Sequence, residues 1–140
     1  MENNEVYQIN PSKIETPQPN NSIENDLPFK NERHKQAFER LKTYFKKDQL
    51  KCQEYLSTLF VLSAIEQAFI ETYFTDGGID IKRLLEESRI VWSNEDFTLI
   101  TLAAVLFNNI RYKANIDEIF SKLDSSNINV VLEAVKIRYS

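Results

Sequence analysis

The sequence predicts an all-α fold: a single compact domain of five to seven helices over residues 29–140, preceded by a flexible acidic tail over residues 1–28. Three observations predict it. Glycine is scarce, only Gly77 and Gly78 in 140 residues, whereas a sheet-rich domain of this length needs more turn glycines and more apolar/polar alternation. Apolar residues recur at spacings of three and four through most of the chain, the period of a helix face. All four prolines fall within the first 28 residues. The length suits one domain able to bury most of its unfolded surface without a staple.

Taken in order, "MENNEVYQINPSKIETPQPNNSIENDLP" scatters its few apolar residues among prolines and asparagines and cannot bury enough area to offset its ordering entropy. Glu2, Glu5, Glu15, Glu24 and Asp26 against Lys13 give it a charge of −4, the net charge of the whole chain, so the body is neutral. Asn31 is the candidate N-cap of a first helix, about 32–46, with His34, Phe38, Leu41 and Phe45 on one stripe. Asp48 can cap a second, about 49–64, whose Cys52, Leu56, Leu59, Phe60 and Leu62 make its later half apolar nearly all round. A helix of that kind belongs at the centre. "IEQAFIETYF" continues the pattern or forms a short helix of its own, and "TDGG" at 75–78 stops it, its glycines supplying positive φ.

Asp80 can cap a short amphipathic helix with Ile81, Leu84 and Leu85 inward, after which "RIVW" reads equally as strand or extended link. Ser93, with Asp96 three residues on, approaches a capping box. It opens the helix "NEDFTLITLAAVLFNN", expected to pack through Phe97, Ile100, Leu102, Ala104 and Phe107. Asn115 opens a short helix running toward Phe120 and Leu123, and Ser125 or Ser126 opens the terminal one, "NINVVLEAVKIRY". The longest apolar run, "LFVLSAI" at 59–65, is far below the roughly 20 residues that span a bilayer. No membrane partner is expected.

The residue types available exclude much chemistry. One His, one Cys and one Met cannot build a zinc site of Cys and His ligands, and two adjacent glycines match neither familiar phosphate-binding loop. No cofactor is expected. A nucleophile-and-base site would have to use His34. Its place on the apolar stripe instead predicts a structural histidine with both nitrogens satisfied. Cys52 is expected to be a small core residue, and its being alone excludes an internal disulfide. With no charged-then-apolar leader, this favours the cytoplasm. Asp76 and Asp80 read as turn and cap residues, not as an acid–base or metal pair, because a calcium loop needs alternating oxygen ligands and a final Glu. Glu86 and Glu87 read as a solvated helix face.

The candidate binding residues are basic. Between Lys30 and Lys51 lie eight basic and three acidic residues, and between Glu66 and Asp96 eight acidic and three basic. Opposed faces on a neutral body steer charged partners. On a helical wheel, Lys35, Lys42 and Lys46 flank one side of the first helix's stripe, and Arg33, Arg40 and Lys47 the other. Single-strand nucleic-acid binders need aromatic faces open beside such cations, and here the aromatics point inward. The stems of Lys and Arg are then better placed to cover the rim of the buried stripe. A further expectation is that the opposed charges are consumed internally, by the acidic tail lying across the first helix or by that helix packing near the acidic segment.

"FKNERHKQAFERL" at 29–41, "LFVLSAIEQAF" at 59–69, "LAAVLFNNI" at 102–110 and above all "IFSKLDSSNINVVLEAVKIRY" at 119–139 resemble a family of small uncharacterised helical proteins from Gram-positive bacteria and their phages and mobile elements. The family is a domain of unknown function. The resemblance spans residues 29–139, and the family's Phe-x-Asn-x-x-His pattern falls on Phe29, Asn31 and His34. It implies a soluble helical domain, brings no catalytic residue or cofactor with it, and makes an accessory role such as blocking a host defence nuclease a reasonable expectation. The chain is therefore expected to be a non-enzymatic interaction module with a protein partner. One alternative is a nucleic-acid-binding protein using Arg33, Lys35, Arg40, Lys42, Lys46 and Lys47; another is an enzyme with an unrecognised carboxylate site.

Overall fold

The structure, a computed structural model, describes residues 27–66 and 69–140. Among these are seven α-helices: α1 Glu32–Lys42, α2 Lys47–Leu50, α3 Gln53–Ala64, α4 Ile81–Val91, α5 Asn94–Phe107, α6 Ile116–Phe120 and α7 Ser125–Tyr139. Between α3 and α4 come a 3-10 turn, Ile70–Tyr73, and a minimal antiparallel hairpin, β1 Phe74–Thr75 with β2 Gly78–Ile79. The all-α expectation holds, as one helical domain around one core.

That core is built around α3. Ser57 through Ala64 are all buried, which an amphipathic helix cannot achieve, and α1, α5 and α7 pack around it. The predicted central helix is therefore central, but it is not one helix over 49–64. Its first turn is the separate α2, where the Lys46 N–H donates to Gln49 Oε1 at 2.9 Å, so Asp48 sits inside the turn instead of capping it. The break at Lys51–Cys52 leaves Cys52 exposed. The expectation of a core cysteine is overturned because the kink turns its side chain to water.

Four helix starts are local and match the expected cap residues. Asn31 Oδ1 accepts from the His34 N–H at 2.8 Å, Asp80 from Arg83 N–H at 3.2 Å, Ser93 Oγ from Asp96 N–H at 3.1 Å, and Asn115 Oδ1 from Asp117 N–H at 2.8 Å. The terminal helix differs by one residue. Asp124, not Ser125 or Ser126, is its cap, accepting from Asn127 N–H at 2.9 Å.

The helix ends depart further. The first helix stops at Lys42, yet Thr43, Tyr44 and Phe45 each donate a backbone N–H three residues back, so the tightened turn keeps Phe45 on the buried stripe. "RIVW" is neither strand nor link: α4 runs through Val91, with Ser88 buried and Ile90 and Val91 exposed. On α5, Ile100, Leu102 and Ala104 are buried as expected, while Phe97 and Phe107 are only half-buried. In the segment after α3, the expected short helix reduces to the 3-10 turn. "TDGG" makes the hairpin loop, in which only Gly77 takes positive φ, at 77°. Of the predicted tail, residues 1–26 lie outside the described residues. Leu27, placed in the tail by the sequence reading, packs on the core.

Candidate functional site

His34 organises the N-terminal end of the body. Its ring is fully buried against Phe29 and Phe60, with centroids 5.1 Å from Phe29 and 4.7 Å from Phe60. Nδ1 accepts from the Lys30 N–H at 3.0 Å, and Nε2 lies 2.8 Å from the Phe60 carbonyl. An acceptor at one nitrogen and a carbonyl at the other require the neutral ring with its proton on Nε2. Burial, opposed by the bond to Phe60 and reinforced by the nearby charges of Lys30 and Arg33, pushes its pKa down to about 4. Phe29, Asn31 and His34 thereby form a clasp. Asn31 caps the helix at His34, and His34 ties the Phe29–Lys30 segment to the C-terminal half of α3. No nitrogen is left to act as a base.

The six candidate cations do not form one face, because Lys46 and Lys47 lie beyond the end of α1. Arg33 Nη2 donates to the Ile65 carbonyl at 3.0 Å, satisfying the C-terminal end of α3. Arg40 pairs with Glu71 at 2.9 Å. Burial raises the Glu71 pKa, but the Arg40 hydrogen bond and charge hold it below the usual carboxylate range. Lys42 pairs with Glu39 at 3.2 Å and lies over the Phe38 ring, 5.0 Å from its centroid. Lys35, Lys46 and Lys47 are exposed, with no carboxylate partner among the described residues. The opposed charge blocks thus meet in the fold at Arg40–Glu71.

Of the four candidate carboxylates, Asp80 and Glu87 are committed to bonds, while Asp76 and Glu86 are solvent-exposed. Asp80 caps α4, and Asp76 lies exposed in the hairpin loop. Glu86 and Glu87 are exposed on α4, where Glu87 accepts from the Tyr73 hydroxyl at 2.7 Å. Burial, with that bond and the Glu87 charge, raises the Tyr73 pKa. Among the described residues no group of three or more His, Cys, Asp or Glu could hold a metal ion.

What sequence reasoning missed is the outer side of α7. A groove of about 720 Å³ runs between Pro28–Lys30 and α7, walled by Phe29, Val130, Leu132 and Val135 with Lys30, Glu133 and Lys136 at its polar edges. Its geometry is held by a polar relay. Lys30 Nζ donates to Asn127 Oδ1 at 2.9 Å, and Asn127 Nδ2 donates to Glu95 Oε2 at 2.8 Å, which also accepts from the Asp124 N–H at 2.8 Å. The Asn127 N–H and the Ser126 hydroxyl hold the Asp124 carboxyl below its usual pKa. Along the same side of α7, the groove-lining Leu132 and Val135 and the more distal Tyr139 are 49%, 37% and 62% exposed. With half-buried Ile128 they fall at spacings of four, three and four. The signal was in "NINVVLEAVKIRY", whose apolar residues cover two faces of the helix when its core contact needs one.

No helix among the described residues is long and apolar enough to cross a membrane. Comparison with family models, with curated proteins and with solved structures finds no match for this chain.

Proposed function

We propose that this chain is a non-catalytic binding module whose docking face is the outer side of α7, and that its partner is a protein presenting an apolar helix. One observation carries the reading: Ile128, Leu132, Val135 and Tyr139 form a second apolar stripe on a helix already anchored to the core by Val130, Val131, Ala134 and Ile137. Spacing of four, three and four is the seam one helix offers another, and a contiguous exposed apolar stripe marks an interaction surface. The commitment of His34, Asp80 and Glu87 to structural bonds supports a non-catalytic role. The resemblance over residues 29–139 is what supports the finer role, a cytoplasmic phage or mobile-element accessory protein that inhibits or regulates a host protein such as a defence nuclease.

A second reading rests on Lys35, Lys46 and Lys47, which remain open to phosphate. One experiment separates the two. A protein captured from host lysate is purified and its affinity measured for wild type, Leu132→Asp/Val135→Asp, and Lys35→Glu/Lys46→Glu/Lys47→Glu, each first shown folded by circular dichroism. The docking reading expects at least about a tenfold loss in the first variant, about 1.4 kcal/mol, and little change in the second. Unchanged affinity in the first variant sinks it. Tight nucleic-acid binding that falls steeply with salt and disappears in the lysine variant establishes the second reading.

A further inference from the structure

We propose that His34 is an acid-operated latch on residues 27–30: protonation at Nδ1 releases that segment from the body and leaves the joint between α1 and α3 closed. The two ring nitrogens meet opposite partners, and this asymmetry sets the direction of the release. Nε2 lies 2.8 Å from the Phe60 carbonyl, which also accepts from the Ser63 hydroxyl at 3.0 Å. An N–H stands at Nε2 in the neutral ring and in the imidazolium alike, so that bond survives a change of charge. Nδ1 accepts from the Lys30 N–H at 3.0 Å, and a proton there sets donor against donor. Only the side of the ring that holds the segment is sensitive to charge.

While the segment is closed, an imidazolium finds no relief. The ring is fully buried, and the charged groups that bear on it, Lys30 on the segment and Arg33 on α1, are both cationic. On α3, residues 55–64 include no charged side chain. On α7, neutral Asn127 faces Lys30, with the Glu95 carboxylate of α5 behind it. Opening the segment gives Nδ1 to water, where a charged imidazole is ordinary. The closed segment is therefore fully favoured above pH 6.5 and loses ground as pH falls. Among the described residues its other ties are the Phe29 ring against Phe38 and Phe60, Leu27 on the core and the Lys30 ammonium on Asn127. Pro28, Phe29 and Lys30 wall the groove along α7, so release takes that wall away and unhooks Asn127. This consequence for the α7 face rests on the binding reading above; the release itself does not.

The test follows the full chain by NMR between pH 7 and pH 4.5. Hydrogen-exchange protection of the Lys30 amide, corrected for the intrinsic rate at each pH, should fall at least about tenfold across this range, because protonation of the freed ring draws the opening forward. Low urea should leave the Lys30 exchange unchanged while it speeds that of Phe38 in α1 and Leu59 in α3, since a local opening exposes little surface and global unfolding exposes much. In His34→Gln the Lys30 protection should no longer respond to acid. His34 is the only histidine, so its ring nitrogens are observed directly, and a second variant reads the latch from the other side. Phe29→Ala weakens the hold of the segment without touching either nitrogen. It should move the ring's titration midpoint upward toward 6.5, because closing and protonation oppose each other reciprocally. The proposal is overturned by a Lys30 protection that does not fall, by a Lys30 urea response equal to that of Leu59, by an acid response that survives His34→Gln, or by a midpoint that Phe29→Ala leaves in place.

Discussion

The imidazole of His34 stays uncharged because protonating Nδ1 would set a second N–H against the Lys30 N–H that points at it, in a site closed to water. Its depressed pKa makes a definite claim about acid stability. The neutral form is favoured in the folded state, so its stabilisation is complete above pH 6.5 and is lost as pH falls toward about 4. The loss amounts to about 3 kcal/mol across that window. Urea denaturation at pH 7 and pH 4.5 should show this fall, and His34→Gln should remove most of it while lowering stability at pH 7 by about 2 kcal/mol, because Gln cannot satisfy both the Lys30 N–H and the Phe60 carbonyl. Equal acid sensitivity in wild type and variant would place the titration elsewhere. Cys52 makes the opposite kind of claim. Exposed at the α2–α3 break, its thiol should react with a disulfide reagent in the native protein without loss of helicity. A thiol protected until unfolding would return it to the core.

At the scale of elements, starts and turns are separable from packing. Asn31→Ala and Asp124→Ala each remove a side-chain acceptor from a first turn and should cost about 1 kcal/mol, whereas Ser125→Ala, inside α7, should be near neutral. Thermal or chemical denaturation of the three variants decides which residue caps α7. The hairpin provides a paired test. Gly77 holds φ +77°, and a Cβ there meets nothing closer than Gln49 Nε2 at 3.5 Å. Gly77→Ala should therefore cost about 1 kcal/mol from backbone conformation alone. Gly78, without positive φ and with Thr75 Oγ1 at 3.5 Å, should accept Ala with little change. Equal costs at the two positions would contradict the turn geometry.

Over the whole molecule, the opposed charge blocks are joined through Arg40 and Glu71, half-exposed and partly buried respectively. A pair of that kind couples by under about 1 kcal/mol, which a double-mutant cycle with Arg40→Gln and Glu71→Gln measures. Because the pair connects α1 to the turn after α3, its loss should loosen exchange protection around Ile70–Tyr73 more than in α3. The exposed lysines behave differently. Lys35→Glu/Lys46→Glu/Lys47→Glu should leave the melting temperature nearly unchanged, since none of the three has a carboxylate partner among the described residues; a large drop would show that they serve the fold.

Four helix starts were legible in the sequence, since a cap is one side chain accepting from a backbone N–H two or three residues away: Asn31, Asp80, Ser93 and Asn115 needed no distant partner, whereas the start at Asp48 and the exact cap of α7 were misplaced. The sequence by itself also determined that residues 57–64 lie at the centre, because a helix apolar on every side has no face to give to water. Where helices stop depended on neighbours. Competition with packing breaks the chain at Lys51–Cys52, carries α4 through Val91 and turns residues 70–79 into a 3-10 turn and hairpin that no apolar period encodes. The candidate site divided the same way. That His34 is structural was readable from its stripe, but the packing of distant elements spends Arg33, Arg40 and Lys42 on a carbonyl, a carboxylate and a ring, and turns the second stripe of α7 outward beside Phe29. Partners far apart in sequence made those decisions, and helical periodicity shows which residues share a face without showing which face is covered.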